Sequence, residues 1–371
     1  MIKIIKEGQF ISAFSGITDP RNGNATRHKL IDIMVLAVGS VICGAEGWED
    51  MEIFSKAKAD YFAKFLSLEH GIPSDDTFRR VLSNLDTGEF FEAFSKWTSS
   101  IRDAFGGEVI ALDGKTARRS FDRASGSSAM HMVSAWARDN RLVLGQVAVD
   151  KKSNEIKAIP ELIRMIDVKG SIVTIDAMGC QKEIASKIVS QGGDYVLALK
   201  GNQPDLYDEV RTFLLDPALG GKLPTMETVD ADHGRIEKRR YVQCGDLEWL
   251  TKTGAWEGMK SIGMVTATRE KGETVTEETR FYISSLPVGL GRFAEGVRGH
   301  WSVENSLHWV LDMTFREDES RIRMKRGPEI FAALRRMTMN LLKLAPTKGS
   351  IKARRKKASW DHDYLTKVLF G

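Results

Sequence analysis

Apolar positions crowd the stretch LIDIMVLAVGSVICG at 30–44, which carries the charged Asp32. It falls short of the ~18–20 uninterrupted apolar residues of a membrane span, so it predicts a buried helix. WEDMEIFSKAKADYFAKFLSL follows, then the break HGIPS. DDTFRRVLSNL resumes helical spacing, with Phe78, Val81, Leu82 and Leu85 on one side. Ser74 is placed to cap this helix, and Asp75 and Asp76 suit its N-terminal end. Helix, short turn and a second helix bearing Arg79 and Arg80 resemble a DNA-reading helix-turn-helix unit. The same pattern fits an ordinary packing module of three or four helices.

Near residue 107 the period shifts from helical to strand-like. EVIALDG, MHMVSAWA and RLVLGQVAVD predict strands, the last two joined by the turn RDNR. AIPELIRMIDV and QKEIASKIVSQGG then predict helices that alternate with the strands SIVTIDAMG and DYVLALKG. Early strands followed by alternating helices and strands indicate an α/β core with a sheet of mixed direction. From about 205 to 280 the pattern turns polar and strand-like in RRYVQCG, MVTATRE and ETRFYISSL, which reads as a β-rich insertion. GHWSVENSLHWVLD and PEIFAALRRMTMNLLKL supply closing helices, with Pro328 near the start of the second. KGSIKARRKKAS carries six basic residues and no acid, and reads as a solvated tail able to attract phosphates. The expected divisions are a helical region at 1–102, core segments at 103–204 and 281–346 around an insertion at 205–280, and a basic tail at 347–371.

Composition narrows the class. With 371 residues, 42% apolar and 28% charged, the chain can build two or three domains with real cores. A net charge of +4 neither requires nor excludes a polyanionic partner. Cys43, Cys180 and Cys244 form no CxxC pair, which gives no support to a disulfide framework or a cysteine zinc site and fits a reducing cytoplasm. MIKIIKEGQF lacks the apolar region of a signal peptide. Neither an internal repeat nor a long low-complexity segment is visible.

Asp113 ends the apolar run VIALD, and Asp176 ends SIVTID. Strand ends of α/β sheets are where ligands collect, although Asp also starts turns and caps helices. Two neighbouring carboxylates either share a proton or bind a cation, and oxygen donors favour Mg²⁺ or Mn²⁺. Glu304 lies at the margin of an apolar helix face formed by Val303, Leu307, Val310 and Leu311, so helix packing could aim it at the sheet edge. His300, Glu304, His308 and Asp312 recur every fourth position. As a zinc site this stripe fares poorly, because its end histidines stand about 12 Å apart along a helix while zinc bonds are near 2 Å.

LDGKTARRS, TIDAMGCQ, LALKGNQP, DHGRIEKRRY and GHWSVENSLHWVLDMTFREDESRIR together resemble the H-repeat-associated transposases of bacterial insertion sequences and Rhs elements, a branch of the DDE transposases. The resemblance runs from the helical N-terminal region through Leu342. It implies an RNase H-like core with Asp113, Asp176 and Glu304 as a catalytic and metal-holding triad, and two Mg²⁺ or Mn²⁺ ions. It implies cleavage at transposon ends and strand transfer into target DNA by a homodimer on paired ends. Phosphate or DNA contacts fall to Lys115, Arg118, Arg119, Lys200, His233 and Arg235. The first three fit equally well as plain surface residues, and the basic strand beyond His233 fits a charge-blunted sheet edge. Arg321, Arg323, Lys325 and Arg326 form another basic cluster, beside the acids of REDES. Relatives often place Tyr, Arg and Lys around the third carboxylate. Here Val297, His300 and Leu311 stand in those places, leaving Arg298, His300 and Asn305 as candidate DNA contacts. A transposase-derived DNA-binding regulator without catalysis is the rival reading.

Overall fold

The computed structural model describes residues 9–23, 26–102, 107–121, 126, 128–149, 154–232, 235–251, 253–272, 274–345 and 347–371. Helices α1 (Gln9–Phe14), α2 (Leu30–Cys43), α3 (Trp48–Ala57), α4 (Ala59–Phe62), α5 (Asp75–Leu82) and α6 (Thr87–Ile101) come first. Ser74 caps α5 by accepting from the Thr77 N–H, as its place before two acids predicts. No single helix among the described residues is long and apolar enough to cross a membrane. The apolar α2 is instead buried along nearly its whole length.

Strands β1 (Val109–Thr116), β2 (His131–Ala137) and β3 (Leu142–Ala148) precede α7 (Glu155–Met165), β4 (Ile172–Ile175), α8 (Lys182–Ser190) and β5 (Asp194–Leu199). They lie in the order β3-β2-β1-β4-β5. β1, β2 and β3 pair antiparallel, whereas β1, β4 and β5 run parallel. This is the mixed sheet of an RNase H-like core. Alternation along β1 sends Ile110 and Leu112 into the layer of α7 and α8, and Val109 and Ala111 to the opposite face.

The region read as β-rich opens with a helix, α9 (Pro204–Leu215). Its apolar stripe is narrow, buried only at Leu206, Val210 and Leu214, and the polar residues between hide the helical period. Two long hairpins follow: β6 (Thr225–Asp232) with β7 (Arg235–Cys244), and β8 (Ser261–Lys271) with β9 (Thr274–Ser284). β9 pairs with β5 through Phe281–Ser284, so the hairpins extend the core sheet to nine strands. Residue 280 therefore falls inside a strand rather than at a border.

α10 (Leu290–His300), α11 (Trp309–Met313), α12 (Gly327–Leu344), α13 (Ile351–Trp360) and α14 (His362–Phe370) complete the chain. α12 carries an ion pair between Arg336 and Glu317 with both side chains only 1% exposed, and Arg336 Nε also donates to Ser134 on β2. Asn340 bonds both backbone groups of Val143, satisfying part of the free edge of β3. The expectation of a solvated tail is overturned by α13 and α14. Arg355 is buried and donates to the carbonyls of Val41 and Ile42 at the end of α2, while Leu365, Val368 and Leu369 join the same core as the N-terminal helices. The basic run was legible, but the partners that bury Arg355 lie some 300 residues away in sequence, while Lys348, Lys352, Lys356 and Lys357 stay exposed.

Candidate active site

Asp113 belongs to β1 and Asp176 directly follows β4, in a register that pairs Leu112 with Ile175. The two residues thus leave adjacent parallel strands side by side, on backbones about 4.8 Å apart by strand spacing. Both follow the alternation toward the face covered by α10, since Val109 and Ile172 pack beneath that helix. Asp176 Oδ1 accepts from the N–H groups of Met178 (3.0 Å) and Gly179 (3.3 Å), which fixes the carboxylate on a short 3-10 turn. Its other oxygen makes neither of these bonds.

Two glycines let the third carboxylate approach. A Cβ on Gly296 would stand 3.0 Å from Val196, and one on Gly299 would stand 2.6 Å from Val109 Cγ1. α10 therefore lies directly on β1 and β5. Trp136 Nε1 on β2 donates to Ser302 Oγ at 3.1 Å and ties down the residues just beyond the helix. Glu304 then begins a π-helical turn, Glu304–His308, closed by the Trp309 N–H on the Glu304 carbonyl. An unbroken α-helical stripe was the sequence expectation; such wide turns insert a residue and often occur at functional sites.

Asp113, Asp176 and Glu304 line one cavity of about 220 Å³, together with Lys200, Arg280 and His300. Burial raises the Asp113 pKa to about 7, aided by the negative charges of Glu304, Glu155 and Asp176 and opposed by the Gly114 N–H. A raised pKa is the expected response of a buried carboxylate crowded by other acids. Glu304 is 56% exposed and reaches the site from its rim.

His308, a member of the polar stripe, faces two of these acids. Its Nδ1 lies 3.5 Å from Asp113 Oδ2 and 3.5 Å from Glu304 Oε2, with the side chain 9% exposed. Burial, then Arg336 and Lys115, lower its pKa to about 4, so the ring is neutral at pH 7. Asp113, Glu304 and His308 each offer a ligand atom within 4.8 Å of the others. The four-residue step from Glu304 to His308 was the available signal; the zinc geometry weighed His300 against His308 instead. Carboxylate oxygens and a neutral imidazole are donors suited to a divalent cation, and a cation would relieve the repulsion felt by Asp113.

The remaining expected contacts divide. Lys200 is exposed and borders the triad cavity. His300 lies within the cavity, its Nδ1 3.3 Å from Thr174 Oγ1, and burial lowers its pKa to about 4. Arg298 pairs with Asp230 at 2.8 Å, and exposed Asn305 shares the adjoining groove with it. Arg118 is 82% exposed beside Asp318, and Arg119 is exposed. Lys115 requires a correction: it is 8% exposed and held between Asp312 (2.7 Å) and Asp318 (3.1 Å), so its charge is neutralised within the protein. That pairing also removes Asp312, the last member of the polar stripe, from the carboxylate centre. His233 lies outside the described residues, as does the side chain of Arg235, whose backbone opens β7. Beyond it Lys238 pairs with Glu270, and Arg239 with Asp230 and Glu237. Arg280 and Trp301 escaped notice in the sequence; the guanidinium stacks 4.4 Å above the indole at the cavity wall.

Fold and site together define an RNase H-like protein with a three-carboxylate centre. The chain belongs to the DDE transposase family: residues 104–341 match the family described as "Transposase DDE domain", and residues 11–98 match its associated region, "DDE_Tnp_1-associated". It is 41% identical over 361 residues to "Putative transposase YncI" of Escherichia coli, covering 96% of this chain and 93% of the relative. It is 39% identical over 363 residues to the Escherichia coli protein named "H repeat-associated putative transposase YhhI", covering 96% of each. A piggyBac transposase synaptic complex with hairpin DNA aligns at a TM-score of 0.41 and 11% identity, over 99% of this chain and 77% of that one, a match too loose to carry an argument. Divalent-metal use follows from the DDE domain, and the donor set at Asp113 is compatible with it.

Proposed function

We propose that the protein cuts phosphodiester bonds at the ends of its own mobile element and joins the freed 3′-hydroxyl to target DNA, with Asp113, Asp176 and Glu304 as its catalytic and metal-holding residues. The observation that carries this reading is the convergence of the three carboxylates on one cavity from β1, the end of β4 and the π-helical turn. Mg²⁺ or Mn²⁺, as a pair of ions, fits the oxygen donors. Bound there, divalent cations supply Lewis-acid polarisation of the phosphate and neutralise charge on the attacking and leaving oxygens.

The chain's own residues set the geometry. The rigid parallel strands fix Asp113 and Asp176 relative to each other, and the glycine-docked α10 fixes Glu304 against them. Lys200, at the cavity rim, holds a phosphate of the DNA backbone by charge. Arg280 shares its guanidinium with Glu278 (2.8 Å) and stacks on Trp301, which keeps that wall of the cavity stiff. Neutral His300 fills the cavity floor beside Thr174 without adding charge. Arg118, Arg119, Arg298, Asn305, Arg235 and His233 are assigned to the flanking DNA. A homodimer holding two element ends, working in the cytoplasm, completes the reading.

The test is incubation of the purified protein with duplex DNA carrying the terminal repeats that flank its gene. Nicking at the repeat ends that requires Mg²⁺ or Mn²⁺ and stops with a chelator supports the assignment. Specific binding of the same DNA without cleavage in either metal contradicts it and favours a silent regulator.

A further inference from the structure

His308 is a polar side chain with no role in the three-carboxylate scheme. It is 91% buried by side-chain exposure, yet it is aimed between two of the three acids. Its Nδ1 stands 3.5 Å from an oxygen of each, too long for a good hydrogen bond to either. Nε2 is also buried and has no hydrogen-bond partner among the described residues. A ring in that position carries a desolvation cost that no group among the described residues offsets. Packing alone would favour an apolar residue there.

The spacing suits a shared ion. Ligand atoms with two separations of 3.5 Å and a third no longer than 4.8 Å have a common point within reach of all three. By triangle geometry that point lies about 2.0–2.4 Å from each donor, the range of divalent metal bonds to oxygen and imidazole nitrogen. The π-helical turn supplies Glu304 and His308 together, while Asp113 comes from the strand below.

We propose that His308 Nδ1 is a direct ligand of the divalent cation held by Asp113 and Glu304, making the centre a mixed nitrogen–oxygen site rather than an all-carboxylate one. This rests on reading the cavity as a cation site. Imidazole is a softer donor than carboxylate and suits the later transition metals better than Mg²⁺. The nitrogen therefore biases this chain toward Mn²⁺ over Mg²⁺.

The experiment uses Mn²⁺ alone as probe on the full chain without DNA. Pulsed electron paramagnetic resonance reads nitrogen coupled to the bound ion, and calorimetry reads affinity. The wild-type protein is expected to show ¹⁴N modulation that converts to a ¹⁵N pattern when histidine is ¹⁵N-labelled. His308→Gln is expected to abolish it, and His300→Gln to retain it. Loss of the ligand is expected to weaken Mn²⁺ binding by at least about 10-fold, since groups that only support a metal ligand already count for 10–100-fold. It also narrows the Mn²⁺-over-Mg²⁺ preference. Because the wild-type spectrum needs no variant, failure of His308→Gln to fold leaves the proposal open to refutation. Mn²⁺ binding that is lost in Glu304→Gln but shows no nitrogen coupling overturns His308 ligation and leaves the carboxylate site standing. Absence of any Glu304-dependent Mn²⁺ binding overturns both.

Discussion

Gly299 lies so close to Val109 that a Cβ built on it would stand 2.6 Å from Val109 Cγ1. The contact joins the helix preceding Glu304 to the strand that carries Asp113. Gly299→Ala is therefore expected to lift that helix by roughly 1 Å to reach ordinary carbon–carbon contact, costing about 1–3 kcal/mol of stability through overpacking. DNA cleavage should fall further than this loss of folded protein explains, because misplacement by ~1 Å can cost about 100-fold in rate. Thermal denaturation and cleavage kinetics on the same samples separate the two effects. Unchanged values for both would show that Glu304 is not positioned through this contact.

The Arg336–Glu317 pair predicts an asymmetry. Burial alone would raise the Glu317 carboxyl, but Arg336 and Arg335 hold its pKa below the ordinary value. Removing one partner leaves the other charge buried, so Arg336→Met or Glu317→Gln should each cost about 3–5 kcal/mol. The double substitution should cost less than the sum of the two. Denaturant unfolding of all four proteins reads the coupling directly.

Lys115 and Arg118 were read alike from LDGKTARRS, but the structure separates them. Lys115→Ala should leave Asp312 unpaired and Asp318 with Arg118 alone, destabilising the fold by about 1–3 kcal/mol with DNA affinity little changed. Arg118→Ala should leave stability within about 0.5 kcal/mol and reduce the salt dependence of DNA binding by roughly one phosphate contact. Fluorescence anisotropy across a salt series tests both substitutions.

That contrast shows what local sequence can hold. The apolar runs that end in Asp113 and Asp176 are legible because alternation along a strand marks both the buried face and the exit point. Glu304 was reached through linked motifs, since one acid on a helix margin says little alone. The π-helical turn over ENSLH carries no local signal and depends on docking by Gly296 and Gly299. Lys115 is buried by acids roughly 200 residues downstream. Arg355 is buried by carbonyls more than 300 residues upstream. Charge counts could not foresee either pairing, because both belong to tertiary contacts.

Lys343 gives a pH signature. Burial, reinforced by Arg141 and Arg354, lowers its pKa from 10.5 to about 7; among the described residues its ammonium has no hydrogen-bond partner and sits 4.0 Å from the Trp136 ring. Between these two values the unfolded chain binds the extra proton, so this group makes stability rise as pH climbs from about 7 toward 10.5 and adds no slope below 7. Lys343→Met should raise Tm at pH 7 and flatten that rise. Thermal melts between pH 6 and about 10 check the sign, and a rise of the same steepness in both proteins would exclude Lys343 as its source.

The central assignment is tested most directly by comparing cleavage with DNA binding in Asp113→Asn, Asp176→Asn and Glu304→Gln, using terminal-repeat DNA and Mg²⁺. Each variant is expected to bind this DNA within about threefold of wild type while cleavage falls by at least about 1,000-fold, a barrier change of roughly 4 kcal/mol. Full cleavage by all three would contradict the carboxylate triad.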